Sequence, residues 1–447
     1  MLSGRESIKG QEGETMVGAE KTNRLTEVYG INRDVPLNYV VRKDVDEVLI
    51  DNLTRDHHII IHGSSKQGKT SLRKHCLSDD DYIVVTCLNK WDLGELHAAI
   101  LKKVGYRIQQ TQKITSAGKH KVEAEFVGEG GVPFLAKASG KTGYAFEKGA
   151  ESETTSAPLE LDVYDVNDII TALSEVQFKK FIVLEDFHYL PFETQRDFSF
   201  ALKAFHENSK ICFIVVGVWR EQNRLIAYNG DLTNRVISIN ADSWSPAQLE
   251  EVIVAGEHLL NIEFDNTFKK TLIGCSYESV MLVQEACYRA CNEEKIYETQ
   301  AAVRHVGRQR DAAALVKSVV DEQKGRYISF MTNFADGFQT TTLQMYRWLL
   351  YPVLKLPVTE LEEGIRLTDL SRIIKERHLE GQELNNGNLT QALVYAASLQ
   401  VKKDIRPIIL DYDQTNRRLN VVDKGFLIWL ANQNTNELLE MIDLPID

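Results

Sequence analysis

Cysteine is scarce and unpaired: the six thiols, Cys76, Cys87, Cys212, Cys275, Cys287 and Cys291, form no CxxC pair, and most sit inside apolar periodic segments. That pattern points to buried reduced thiols rather than a disulfide framework or a zinc site. Long apolar runs are also missing. The longest, around Ile211 to Trp219, falls far short of the roughly 20 residues a membrane-spanning helix needs, and Met1-Leu2-Ser3-Gly4-Arg5-Glu6 lacks the apolar core of a signal peptide. The expectation is a cytoplasmic chain with no membrane partner. Positive charge is in deficit, 52 Lys and Arg against 64 Asp and Glu, a net charge of -12. This balance argues against coating nucleic acid by bulk electrostatics, while leaving room for a local basic surface. What remains, at 447 residues and 43% hydrophobic content, is long enough for two or three domains with buried cores.

The most informative stretch is Ile59-Ile60-Ile61-His62-Gly63-Ser64-Ser65-Lys66-Gln67-Gly68-Lys69-Thr70-Ser71-Leu72. A β-branched run feeds a loop of the form GxxxxGKT, which opens into a helix-forming sequence; this is the strand, loop and helix context of a phosphate-binding P-loop. Gly63 and Gly68 let the backbone curl so that successive N–H groups aim at phosphates, and the new helix turns its positive end to the same anion. Lys69 reaches the phosphates as a point charge, Thr70 offers its hydroxyl to Mg²⁺, and Ser71 continues the helix. The whole loop, Gly63, Ser64, Ser65, Lys66, Gln67, Gly68, Lys69, Thr70 and Ser71, is the candidate ATP cradle.

Strand and helix patterns then alternate, with Tyr82 to Leu88, Leu93 to Val104, Val166 to Val176, Phe181 to Asp186, Phe192 to Asn208 and Lys210 to Gly217, as in an α/β fold with a covered parallel sheet. Phe181-Ile182-Val183-Leu184-Glu185-Asp186 ends an apolar strand in two acids, the form of a Walker B strand whose carboxylates emerge where phosphates sit. Residues 1–27 are polar and aperiodic, expected to lack order. Residues 105–158 read as an insertion, with weak alternation at Lys119 to Val127 suggesting a hairpin. Its Lys119, Lys121, Lys137, Lys141 and Lys148 either touch a nucleic acid or a neighbouring subunit, or lie on a solvated loop among interspersed acids. Ser245 and Pro246 open a run of helices through Leu260, Asn266 to Gly274 and Ser279 to Cys291. Ala301 to Val320 reads as one further helix, ended by Gly325. The last region gives helices at Leu343 to Leu354, Leu367 to Arg377 and Asn388 to Leu399, then two strands within Pro407 to Val422 and a closing helix at Phe426 to Leu430. Three helices and a hairpin make a winged helix, able to serve DNA or protein contact alike. From Thr340 to Asp447 it carries 12 Lys and Arg against 15 Asp and Glu, and Arg417 with Arg418 is the one basic pair well placed for a phosphate.

Taken together, the P-loop, the Glu185-Asp186 strand, Leu232-Thr233-Asn234-Arg235, the helical run and the final winged helix resemble an AAA+ ATPase of the initiator or transposition-regulator type, related to STAND signalling ATPases. The resemblance covers roughly Tyr29 to Leu430 apart from the insertion. It implies an AAA+-like P-loop NTPase core at 28–240, a helical lid and connecting helix at 241–336 and a winged helix at 337–447. It also implies ATP and Mg²⁺ as cofactors, assembly into a homo-oligomer or filament, and Val35 to Ile50 beside the adenine ring. By position Glu185 holds the magnesium shell and Asp186 orients the attacking water, although the family's usual order is Asp then Glu. Arg235 becomes the candidate arginine finger toward a neighbour, with Arg224 behind it, and Arg220 or Glu221 a candidate sensor. The lid lacks an arginine near Ser276 to Val280, where a second sensor is usual; Arg289 lies further on. Two readings of function follow: an ATP-hydrolysing assembly switch acting on DNA or DNA-bound partners, and a nucleotide-gated scaffold with little turnover that recruits an effector protein. A plain transcription regulator ranks third.

Overall fold

The apolar β-branched runs become a five-stranded parallel sheet in a computed structural model that describes residues 22–114, 120–127, 159–242, 244–339, 341–378, 380–381 and 384–446. Its strands are β1 (His58–His62), β2 (Tyr82–Thr86), β3 (Phe181–Glu185), β4 (Phe213–Val216) and β5 (Val236–Asn240), in spatial order β2-β3-β4-β1-β5. β1 and β4 are buried along their whole length, as continuous apolar runs covered on both faces must be. Ile60 pairs with Val215 on one side and Ser238 on the other, and Val183 pairs with Ile214. The loop after β1 and the acids ending β3 therefore flank the same sheet edge, at the carboxyl ends of the strands.

A second, antiparallel sheet joins Tyr106–Ile114, His120–Phe126 and Leu159–Asp162 in that order. Lys121 pairs with Glu160 at 2.7 Å; Lys119, Lys137, Lys141 and Lys148 lie outside the described residues, as do residues 1–21. Within the stretch expected to lack order, Leu25–Val28 is a helix, because Leu25 and Val28 are buried and the Leu25 N–H donates to Tyr297 O.

Helix α1 (Lys69–Cys76) continues the phosphate loop between β1 and β2, and after β5 come α2 (Pro246–Leu260), α3 (Asn266–Cys275) and α4 (Val280–Glu293), the helical run in the position of the expected lid. Ser245 caps α2, its hydroxyl accepting the Gln248 N–H with Pro246 at the first turn. The single helix expected over Ala301 to Val320 is instead a short strand, Arg304–Val306, paired with Ile262–Phe264, and a helix, Ala312–Asp321. Asp311 supplies the cap that starts it late. Gly325 does not end that helix; it lies inside the next one, Lys324–Ala335.

The C-terminal region runs helix Met345–Lys355, strand Ile365–Arg366, helix Leu367–Arg377, helices Asn386–Val394 and Ala396–Lys402, strands Leu410–Asp413 and Arg418–Val421, and helix Lys424–Ala431. The strands form one antiparallel sheet with Arg418–Val421 central. The helix expected at Asn388 to Leu399 is broken in two at Tyr395. One apolar core spans the lid and the C-terminal region together: the Tyr327 ring lies 5.5 Å from Phe426 and 5.3 Å from Trp429, and Phe330 lies 5.5 Å from Phe426. All six cysteines are free thiols. Among the described residues, no helix is long and apolar enough to cross a membrane.

Candidate functional site

The phosphate loop is held from below by a residue far away in sequence. Gly63 has φ 140°, and a Cβ there would come within 3.1 Å of Asp242; Gly68, at φ 81°, turns the chain into α1. Asp242 accepts the Ser64 N–H at 2.6 Å and its hydroxyl at 2.8 Å. Lys69 donates to Gly63 O at 3.0 Å and Ser64 O at 2.6 Å. Burial pulls the Lys69 amine down to about 8, against the opposing pull of Asp242, Glu185 and Asp186. Trp244 donates its indole N–H to Gln67 O at 3.3 Å and carries the Arg42 guanidinium 4.1 Å over its ring.

A cavity of about 450 Å³ opens above this loop. Ser65 to Ser71 line it, while Gly63 and Ser64 lie beneath. Its far wall combines Asn38, Tyr39 and Val40 with Val252, Val280, Met281 and Gln284 of α2 and α4. Asn38 and Gln284 exchange amide hydrogen bonds at 2.9 Å in both directions, which fixes the lid against the entry segment. The segment expected beside a base thus reaches the cavity. The cations on its lining are Arg42, Lys66 and Lys69.

The two acids behave differently. Glu185 accepts from Arg73 Nε at 3.0 Å, and Arg73 is itself buried over the Tyr82 ring. Burial raises the Glu185 carboxyl and Arg73 opposes that rise. Asp186 leaves the strand at φ 58° and ψ 29°, a left-handed turn, and lines the cavity with no hydrogen-bond partner for its carboxylate among the described residues. Burial raises it too, with Lys69 and Arg406 pulling it down. The Thr70 hydroxyl is likewise exposed on the cavity wall and unpartnered among the described residues. Magnesium takes hard oxygen ligands and keeps several waters; the Thr70 hydroxyl and the Asp186 carboxylate fit it, whereas Glu185, expected in that role, faces a cation.

Arg235 sits at the opposite end of β1 from the loop, where its carbonyl accepts the His58 N–H, and its guanidinium meets Glu207 at 2.8 Å. Arg224 is buried inside the chain, 2.5 Å from Asp411 and 3.3 Å from Glu221. Glu221 in turn accepts the Thr415 N–H at 3.0 Å and its hydroxyl at 2.6 Å. Neither Arg224 nor Glu221 lines the cavity; both fasten the C-terminal hairpin to the sheet domain. Arg418, expected free for a phosphate, donates to Glu363 O at 2.9 Å and Gly364 O at 2.8 Å. Arg289 bridges Glu285 and Glu322, away from the cavity. Asn388 and Gln391, on the helix a groove-reading role would use, face a cleft of about 1450 Å³ shared with Lys90, Tyr189 and Glu193. Sequence reasoning missed Asp242, Trp244 and Arg73. Only Arg73 carried a local signal, one helical turn beyond Lys69.

The loop, its strand, the acidic strand and the strand order settle the class. The fold is an α/β P-loop NTPase fold. No family model matches the chain, and no curated protein sequence does. Among solved structures, the chain is similar to the Walker-type ATPase PABY2304 of Pyrococcus abyssi, at 11% identity and a TM-score of 0.47, with 90% of this chain and 99% of that one covered. It is also similar to the Orc1 protein of Aeropyrum pernix, solved in complex with DNA, at 12% identity and a TM-score of 0.41, covering 94% and 97%. A third is Cdc6p of Pyrobaculum aerophilum, at 12% identity and a TM-score of 0.38, covering 94% and 98%.

Proposed function

We propose that the chain is an AAA+-type, nucleotide-dependent switch that binds ATP with Mg²⁺ over Ser65 to Ser71 and acts on DNA or DNA-associated partners through its C-terminal winged helix. In this reading 28–240 is the ATPase core, 241–336 the lid and connecting helix, and 337–447 the winged helix. The observation that carries it is the phosphate loop itself: a buried Lys69, preset by two carbonyls, beneath an open cavity walled by the lid. Electrostatic preorganisation of this kind costs little rearrangement when a phosphate arrives. Thr70 and Asp186 would hold the ion, whose charge neutralises the phosphates when bound. Arg235, half-buried at the sheet's other end and paired with Glu207, would have to leave that pair to reach a second copy. Steady-state phosphate release by the purified chain beside Lys69→Ala and Asp186→Asn tests hydrolysis; wild-type release no greater than the variants sinks it. Light scattering with and without a non-hydrolysable analogue tests assembly.

A second reading, a scaffold that binds ATP with little turnover and recruits an effector protein, is favoured by the Arg73–Glu185 pair, which leaves one free carboxylate at the site rather than two. Tight binding of ATP without phosphate release above background identifies it.

A further inference from the structure

Two buried side chains lining the nucleotide cavity, Gln67 and His188, have no side-chain hydrogen-bond partner among the described residues, and His188 is the one that follows the acidic strand. His188 lies on the turn Phe187–Tyr189, directly after Asp186, and is 3% exposed, yet neither its Nδ1 nor its Nε2 has a hydrogen-bond partner among the described residues. His188 is among the residues lining the same cavity as Lys69 and Asp186, and its ring packs 4.0 Å from that of Tyr189. Buried polar atoms in folded proteins are nearly always paired, so an imidazole with two idle nitrogens at a ligand cavity is built for something that arrives. Lys69, Arg224 and Arg406 are the cations whose fields reach it, and in either protonation state an imidazole keeps at least one N–H donor. A neutral imidazole offers one N–H donor and one acceptor nitrogen. An N–H donor beside a phosphate loop suits an anionic oxygen as its partner.

The turn has a second face. Tyr189 packs with Val218, Val401, Ile408 and Val422 in a small apolar cluster and carries the Arg406 guanidinium 5.0 Å over its ring. The Gln195 amide braces the turn by donating to Leu190 O at 2.8 Å. Adjacent residues thus face the nucleotide cavity and the C-terminal region.

We infer that His188 donates a ring N–H to the terminal phosphate of the bound nucleoside triphosphate, so that the site tells triphosphate from diphosphate at the turn that touches the C-terminal region. The inference rests on the nucleotide reading above, and the two fail separately. Calorimetric titration of the full chain with AMP-PNP and with ADP, each with Mg²⁺, is the test, on wild type, Lys69→Ala, His188→Ala and His188→Gln. Lys69→Ala should lose both ligands; if it binds both like wild type, the nucleotide reading is overturned. His188→Ala should weaken AMP-PNP by about tenfold or more, the scale of one hydrogen bond to a charged group, and leave ADP within about twofold. His188→Gln keeps an N–H and should recover part of the AMP-PNP affinity; it also carries the test if the alanine variant melts early. An AMP-PNP to ADP affinity ratio equal to wild type in the folded variants, with Lys69→Ala inactive, overturns the inference and leaves His188 as the partner of an ordered water only.

Discussion

The Ser65 N–H of the phosphate loop donates to the carbonyl oxygen of Val422, 3.0 Å away, at the end of the C-terminal hairpin. The loop proposed to bind phosphate through its backbone is here in direct contact with the region proposed to act on partners. Lys66 adds a longer contact, 3.4 Å to Gln323. Hydrogen exchange should therefore report nucleotide binding at a distance: amides of Ile408 to Val422 are expected to change protection on adding AMP-PNP, and not in Lys69→Ala. Unchanged exchange there in wild type, under saturating ligand, would separate the two regions energetically.

Proton coupling follows from Lys69. Its amine is held at about 8 by burial, and a bound phosphate would stabilise the ammonium form and raise that value. Near and above pH 8 the free amine is partly neutral, so binding should take up a proton and affinity should fall as pH rises. Below pH 7 the ammonium is already formed and the coupling should vanish. Calorimetry in buffers of different ionisation enthalpy measures the proton count at each pH.

The acids predict an asymmetric pair of variants. Asp186→Asn should lower Mg²⁺-dependent phosphate release by about 10²-fold or more, the usual scale for losing a group of this kind. Glu185→Gln should weaken Arg73 packing and cost stability before it costs turnover. Equal losses in turnover, with equal melting temperatures, would restore Glu185 to the metal.

Arg224 bridges two carboxylates, Asp411 and Glu221, all three buried. Removing one partner of a buried ion pair leaves an uncompensated charge, at a cost of about 3–5 kcal/mol. Arg224→Ala should lose stability on that scale in urea unfolding, and limited proteolysis should then cut within Leu410 to Val421. Thr415→Val, which removes only one hydroxyl from Glu221, should cost about 1 kcal/mol.

Much of the sheet domain was legible because its signals are local. Leu93–Val104 and Phe192–Asn208 have the bounds their periodicity predicts, with Asp92 closing a capping box on the first. The phosphate loop announced itself by spacing. What was hidden depends on folding. Asp242 reaches Gly63 only because β5 lies beside β1, and the partner of Glu185 is an arginine on a different element. Glu221 read as a candidate sensor because it follows a sheet strand, and Arg224 as a reserve arginine finger by resemblance; a C-terminal hairpin distant in sequence engages both. The idle histidine at 188 was in plain view beside the acids, but idleness is a property of surroundings, which a sequence does not list.

The continuous core running from Leu25 through Trp348 to Leu444 has a bearing on how the molecule comes apart. A lid and a terminal module with separate interiors would melt separately and could be exchanged between proteins. Here Tyr327, Phe330 and Phe334 form one interior with Phe426 and Trp429, so cutting the chain near Thr341 would bare aromatic surface on both halves. The lid and the C-terminal region are therefore expected to unfold together.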